Sequence, residues 1–356
     1  MTTRSAARLA RRSRIAAAVA ALATAVTVAG PSAPASAALP KVANTWASLM
    51  HRSLTPTPAY VALRQRLATQ RGTLATRAAQ ITTLTAAHTT AQNTLTTAIA
   101  ADAAARTRYA LAREDLATAR NTLAVVQQQR PVKATAVATA KTTVTSTART
   151  TATLRTRAGQ TAATLKSAQA TATTATTSLD STVTAWQNLN TAIATNQQRL
   201  IALDTEAAAL ATQATALSRD VVNQVRGSFT TADSTTVYGI RVNKTIAYAF
   251  QQMLDDAKAD GVPLSGGGFR TRESQIELRK INGCPDIYTA PASSCRVPTA
   301  IPGRSLHELG LAIDITSGGR TLTSGSAGFK WLSANAARYG FQNLPSEAWH
   351  WSISGA

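Results

Sequence analysis

The chain has 356 residues and a formal net charge of +20, and only 4% of its residues are aromatic. That length is enough for two or three domains, and so few aromatic rings exclude one uniform globular core along the whole chain. A basic surface attracts anionic partners. The sequence contains no nucleic-acid-binding motif, so we expect no nucleic-acid partner.

The first 37 residues have the order of a secretory signal peptide. Basic residues between Arg4 and Arg14 precede an uncharged apolar run at 15–30, and small residues before Ala38 offer a cleavage site. The run is shorter than the roughly 20 residues that a membrane span needs; the alternative is an uncleaved anchor. We predict export, a mature chain beginning near Ala38, and no stable membrane span after cleavage.

Residues 58–225 are predicted to form an all-α antiparallel coiled-coil hairpin, with linkers at 38–57 and 226–236. Gly and Pro are sparse there, and apolar residues recur every seven positions in two registers. The break is placed near Pro131, because proline inside a helix removes a hydrogen bond. The threonine-rich stretch 135–177 is expected to fray, since threonine is a mediocre helix former.

Most of the positive charge falls on this hairpin. The N-terminal arginines contribute +5 and residues 237–356 contribute +3, which leaves +12 of the total for residues 38–236. Outside the cell, a basic arm favours anionic polymers or lipid headgroups; a solvated helix surface is the alternative. Periodicity does not choose between a spacer, a partner-binding arm and an oligomerisation element.

The composition changes near residue 237, where Gly, Pro and Trp become more frequent. Residues 237–356 are predicted to form a compact α+β domain with a small antiparallel sheet. A glycine-rich turn is expected at Gly266-Gly267-Gly268. Helices are expected at 243–260, 273–282 and 327–339, and strands at 262–265, 311–316 and 349–353.

Two cysteines, Cys284 and Cys295, lie close together in this domain. Oxidising conditions outside the cell favour a disulfide that closes the short loop between them. Free thiols and metal ligation are the alternatives. Two cysteines alone do not complete a structural zinc site, which usually has four protein ligands.

Two histidines and two acidic residues of this domain could form a metal centre. His307, Asp314 and His350 are residue types that bind zinc, and three protein ligands leave one position for water. A metal-bound water needs a base beside it, and Glu347 stands three residues before His350. From spacing alone, the alternative is that these four are unrelated polar residues.

Three segments resemble signatures of the D-alanyl-D-alanine carboxypeptidases of the vancomycin-resistance type, zinc peptidases related to the lysostaphin and hedgehog domains. Residues 305–314 resemble S-x-H-x-x-G-x-A-x-D, residues 347–351 resemble E-x-W-H-W, and residues 268–275 resemble S-G-Y-R-S…Q. Phe269 and Thr271 replace the Tyr and the second Ser of the last signature. These departures bear on the substrate and leave the metal chemistry intact.

The resemblance implies a role for each matching residue. It implies zinc ligands at His307, Asp314 and His350, a general base at Glu347, a substrate or oxyanion contact at Arg270, and further substrate-binding positions at Gln275, Ser305 and Trp349. It also implies a secreted, cell-wall-associated enzyme that hydrolyses D-alanyl-D-alanine ends of peptidoglycan stem peptides. The alternatives are an endopeptidase that cuts within stems, and a non-catalytic wall adaptor in which the hairpin carries the function.

Overall fold

The computed structural model describes residues 39–356, so the predicted signal peptide lies outside the described part. Contacts divide the chain into two units. We call residues 65–197 the hairpin unit, and residues 39–64 with 198–356 the α+β unit. Within residues 39–356, the helices are too short or too polar to cross a membrane.

The hairpin unit consists of two antiparallel helices, α2 (Pro58–Gln128) and α3 (Ala134–Ala216), whose ends extend into the α+β unit. Their antiparallel pairing is shown by two contacts. Thr151 Oγ1 donates to the carbonyl oxygen of Ala112 at 2.9 Å, and Asn196 Nδ2 donates to Gln70 Oε1 at 3.0 Å. The predicted helical hairpin is confirmed, and the turn between its helices contains Pro131.

Small residues fill the seam between these helices. Buried alanines recur every seven residues on α2, each only 6–7% exposed: Ala91, Ala98, Ala105, Ala112 and Ala119. Asp102 interrupts the apolar register and is 4% exposed. Arg106 Nε and Thr161 Oγ1 donate to its two carboxylate oxygens at 2.6 and 3.1 Å. The buried charge is therefore paired, and it ties α2 to α3 at one register.

The threonine-rich stretch differs from its prediction, because α3 runs through it as a continuous helix. Threonine hydroxyls there donate to the carbonyl oxygen four residues earlier, as in Thr142, Thr156 and Thr173, at 3.0 to 3.2 Å. Such bonds satisfy the hydroxyl within the helix. Composition alone underestimated this stretch.

The α+β unit contains two antiparallel sheets. The first is a hairpin of β1 (Ser234–Val237) and β2 (Ile240–Asn243), which the sequence did not predict. The second has the order β3-β4-β7-β6, with β5 paired to β4. Its strands are β3 (Leu264–Gly267), β4 (Ala312–Ser317), β5 (Arg320–Thr321), β6 (Gln342–Leu344) and β7 (Glu347–Ser352). The predicted small antiparallel sheet is confirmed.

Three helices surround this sheet where the periodicity placed them. They are α5 (Lys244–Ala259), α6 (Arg272–Ile281) and α7 (Ala327–Asn335), the last followed by a 3-10 turn to Tyr339. The glycine segment differs from its prediction, because Gly266 and Gly267 continue strand β3. A side chain on Gly266 would collide with the main-chain carbonyl of Asp314, which explains why the strand carries glycine there.

The two predicted linkers are largely structured. Residues of the first form α1 (Lys41–Leu54), and the second begins inside α4 (Ser218–Ser228). Trp46 is fully buried, and its Nε1 donates to Ser218 Oγ at 3.2 Å. A side chain on Gly340 would collide with the indole ring. Apolar residues at helical spacing on α1 complete the core, so these segments belong to the α+β unit.

Candidate metal centre

Neighbouring strands bring the predicted metal ligands together. Asp314 on β4 lies opposite His350 on β7 in the antiparallel register. His307 begins the 3-10 turn that precedes β4. Gly310 ends that turn with φ +63°, and a side chain there would collide with the main chain of Asn243. Glycine therefore allows the chain to turn from His307 directly into the strand.

The three side chains present a tight triangle of donor atoms. His307 Nε2 lies 3.1 Å from Asp314 Oδ1 and 3.2 Å from His350 Nδ1, and His350 Nδ1 lies 3.0 Å from Asp314 Oδ1. Three ligands of one tetrahedral zinc ion stand about 3.3 Å apart. The donor types and their spacing fit a zinc ion with one position left for water. Among the described residues, this is the cluster that could hold a metal.

Hydrogen bonds fix which ring nitrogen of each histidine faces the centre. His307 Nδ1 lies 2.7 Å from the carbonyl oxygen of Gly268, and His350 Nε2 lies 3.1 Å from the main-chain oxygen of Ala356. An oxygen of that kind accepts, so each contacting nitrogen carries the proton. When zinc binds, the opposite nitrogen would give up any proton that it shares with Asp314 and offer its lone pair to the metal. The two histidines thus use different nitrogens, Nε2 and Nδ1.

Asp314 is held in its charged form. Burial raises the pKa of its carboxyl, but hydrogen bonds from His307 and His350 and the charges of both rings outweigh burial. The net effect is a pKa well below the usual range. Arg270 Nη2 also donates to Asp314 Oδ2 at 3.0 Å. The carboxylate is therefore available as an anionic ligand throughout the physiological pH range.

A hydrogen-bonded chain supports Arg270. Its Nη1 donates to Gln275 Oε1 at 2.9 Å, and Gln275 Nε2 donates to the carbonyl oxygen of Ala300 at 2.8 Å. Gln275 is 1% exposed, so it orients Arg270 and does not face open solvent. Ser305 is also buried, whereas Trp349 is partly buried at the surface of the core. Of these predicted substrate positions, Arg270 and Trp349 keep exposed atoms.

Glu347 begins β7, beside the metal cluster, and is half-buried. Burial raises the pKa of its carboxyl, since desolvation disfavours the charged form. His350 and His307 lower that pKa and Asp314 raises it, and all three lie near enough to act on Glu347. The net pKa is above the ordinary value of a glutamate. The structure thus brings together the four residues that the motifs selected.

The predicted disulfide between Cys284 and Cys295 is present. Its loop wraps around Arg279, a fully buried residue that the sequence analysis missed. The guanidinium donates to the carbonyl oxygens of Asp286 and Ala290 within the loop and of Thr299 just after it, at 2.5 to 2.7 Å. Arg279 stands four residues after Gln275, on the same face of α6. That spacing is the sequence signal that could have revealed it.

Comparison with known proteins gives the same family as the motifs. Residues 239–356 match the VanY D-alanyl-D-alanine carboxypeptidase family model. A D-alanyl-D-alanine carboxypeptidase of Enterococcus faecalis is 33% identical over 138 residues, which cover 33% of this chain and 50% of that protein. The chain thus spans about half the length of this curated relative. The family resemblance is confirmed for residues 239–356.

One solved structure is also similar. It is a vancomycin-resistance D,D-pentapeptidase, a VanY variant from a VanB-type cassette, in complex with Zn(II). The sequence identity is 31%, and the match covers 34% of this chain and 78% of that chain with a TM-score of 0.28. The hairpin unit lies outside the residues that match the family model.

Proposed function

We propose that this protein is an exported zinc peptidase that removes the terminal D-alanine from peptidoglycan stem peptides. The observation that carries this proposal is the convergence of His307, Asp314 and His350 on one point, with donor atoms 3.0 to 3.2 Å apart and Glu347 beside them. The same segment matches a D-alanyl-D-alanine carboxypeptidase family. The family match and the set of donor atoms therefore both support zinc-dependent peptide hydrolysis.

Zinc held by these three ligands would polarise the scissile carbonyl and activate a water at its open position. Glu347 is the proton acceptor for that water, and it then returns the proton to the leaving amine. The raised pKa of Glu347 suits the second role, because a carboxyl that holds its proton more firmly is a better acid near neutral pH.

Arg270 is the anchor for the substrate. Asp314 Oδ2 and Gln275 Oε1 each accept one of its hydrogen bonds, and its side chain is still 24% exposed. A guanidinium presents five N–H groups in a planar fork, so donors remain for a carboxylate. The C-terminal carboxylate of a stem peptide is the matching group. An arginine beside the metal ligands favours cleavage next to a free C-terminus over cleavage within a stem.

The hairpin unit adds a second part to the proposal, attraction to anionic cell-wall polymers. Residues 65–197 carry 14 Lys+Arg and 4 Asp+Glu, and no acidic residue lies between Asp115 and Asp180. Long-range attraction from such a surface would concentrate the enzyme at a polyanionic wall. Its buried heptad alanines support coiled-coil packing.

A chain beginning at Ala38 tests the reaction. Loaded with zinc and incubated with muropeptides that end in D-alanyl-D-alanine, it is expected to release a single alanine, read by mass spectrometry. Internal cleavage would instead identify an endopeptidase. A chain that binds zinc but leaves every muropeptide intact would favour the wall adaptor. All residues from Ala38 onward are needed because α1 and α4 complete the core of the α+β unit.

Glu347→Gln tests the mechanism. Removing the general base is expected to lower kcat at least about 100-fold, while zinc affinity stays within twofold of the parent. Glu277→Gln is the matched control, because Glu277 is exposed and pairs with Lys280 on the surface of α6. Equal activity of Glu347→Gln and the parent would overturn the assignment of the base.

A further inference from the structure

Helix α4 is part of the α+β core although it precedes the segment that matches the family model. Val221 and Val225 are buried in the same cluster as β4 and β7. Ser218 accepts the hydrogen bond from the Trp46 indole. The helix therefore has a fixed position against the rest of the unit, and the polar face that it presents there can hold a neighbouring loop in place.

Arg226 is the polar residue of α4 that contacts such a loop. Its Nη1 donates to the carbonyl oxygen of Gly303 at 2.5 Å, and its Nη2 donates to the carbonyl oxygen of Arg304 at 3.2 Å. The two acceptors are consecutive main-chain groups. A planar guanidinium binds both with a rigid fork of N–H groups, whereas the ammonium of a lysine is a compact charge on a flexible stem.

A second contact, between Gly303 and Glu308, also holds this loop. Gly303 has φ +85°, and its N–H donates to both carboxylate oxygens of Glu308 at 2.8 and 3.0 Å. His307 lies within this closed segment, four residues after Gly303. Arg226 and Glu308 thus fix the main chain that carries the first metal ligand.

We propose that Arg226 is a positioning residue for the metal centre. By clamping the carbonyls of Gly303 and Arg304, it sets where the imidazole of His307 stands relative to Asp314 and His350. This inference rests on the proposed function in one respect, that the cluster binds zinc. The guanidinium acts through the loop, since it donates to the two carbonyls and not to the metal ligands.

The size of the effect follows from the geometry of the ligand triangle. His307 Nδ1 is tied to Gly268, so a shift of the loop on the opposite side tilts the ring and moves Nε2 away from its partners. Groups that orient a metal ligand from outside the ligand set typically contribute 10- to 100-fold in metal affinity. The metal site of this chain therefore depends on the helix that follows the hairpin.

Zinc affinity, measured by chelator competition on the chain beginning at Ala38, tests the inference. Arg226→Ala is expected to raise the zinc Kd by about 10- to 100-fold. Turnover should return toward the parent value at saturating zinc. Arg219→Ala is the matched control, an exposed arginine on the same helix, and its Kd should stay within twofold of the parent. Hydrogen exchange at residues 304–306 should accelerate in Arg226→Ala alone.

A folded Arg226→Ala protein whose zinc Kd stays within twofold of the parent would overturn the inference. If that variant fails to fold, Arg226→Lys decides, because it keeps the charge and loses the fork: a Kd raised at least threefold supports the clamp, and an unchanged Kd overturns it. Failure of the proposed function is distinguishable from failure of this inference. A parent chain that binds zinc without hydrolysing muropeptides would refute the peptidase and leave the affinity comparison valid.

Discussion

The hairpin unit and the α+β unit both bury apolar surface, but they use different side chains for it. In the hairpin, the buried positions of α2 are mostly alanines at seven-residue spacing. In the α+β unit, large side chains such as Trp46, Phe250 and Tyr339 are fully buried. The hairpin core is therefore thin and repeated, whereas the other core depends on a few large residues.

This difference has a consequence for how each unit responds to change. A buried methyl group contributes roughly 0.8 kcal/mol, whereas a buried aromatic side chain contributes several times more. Truncating a buried side chain should therefore lower the stability of the α+β unit most. Enlarging a buried side chain should lower the stability of the hairpin most, because its helices approach each other across alanines.

Trp46→Ala is expected to have the largest effect on stability. Removing the indole leaves a cavity beside Gly340, and such truncations cost about 3–5 kcal/mol. Trp186→Ala is the matched control, a half-buried tryptophan in the hairpin unit whose loss should cost clearly less. The free energy of unfolding, measured by urea titration with circular dichroism, distinguishes them. Equal losses would contradict the contrast between the two cores.

Zinc removal should affect one unit only. A ligand at 100 times its Kd stabilises the folded state by about 2.7 kcal/mol, so chelation should lower the unfolding temperature of the α+β unit and leave the hairpin transition unchanged. Calorimetry with and without a chelator checks this. His350→Ala is the control, because a chain that lacks one ligand should lose most of the response. A shift in the hairpin transition would count against metal binding at the cluster.

Ala105→Leu tests the thin seam. Overpacking at a buried alanine costs about 1–3 kcal/mol, and Ala105 is among the buried residues of α2. Ala104→Leu is the matched control, since Ala104 is the preceding residue on the same helix and is exposed. Thermal unfolding should show a loss for the first variant and little change for the second. If both variants unfold alike, the helices do not pack as closely as the buried alanines indicate.

The sequence was sufficient for the parts of the molecule that repeat or carry motifs. Heptad spacing predicted α2 and α3, and Pro131 marked the turn between them. Two short motifs selected His307, Asp314, His350 and Glu347, because their residue types and spacing resemble those of a zinc peptidase family. The structure brings the three ligands to within 3.2 Å of one another.

The features that the sequence did not predict depend on contacts between residues far apart in the chain. Helix α1 was predicted as a linker. Its apolar face is buried by Gly340 and α5, which lie far away in the sequence. No motif or periodic pattern selected Arg226 or Arg279. Their roles follow from main-chain carbonyls that the fold places around each guanidinium. Helical spacing could have placed Arg279 on the same face as Gln275, but a single sequence does not show which carbonyls either arginine binds.

The burial of Trp46 also sets an order of events during folding. The indole lies in α1, and the chain that covers it around Gly340 is synthesised almost 300 residues later. Closing so long a loop costs about 3 kcal/mol more than closing a 10-residue one, and it must wait for the chain to arrive. The hairpin, built from nearer neighbours, can form first. A chain that stops before Gly340 would display the uncovered indole, an exposed apolar group by which proteases could recognise it.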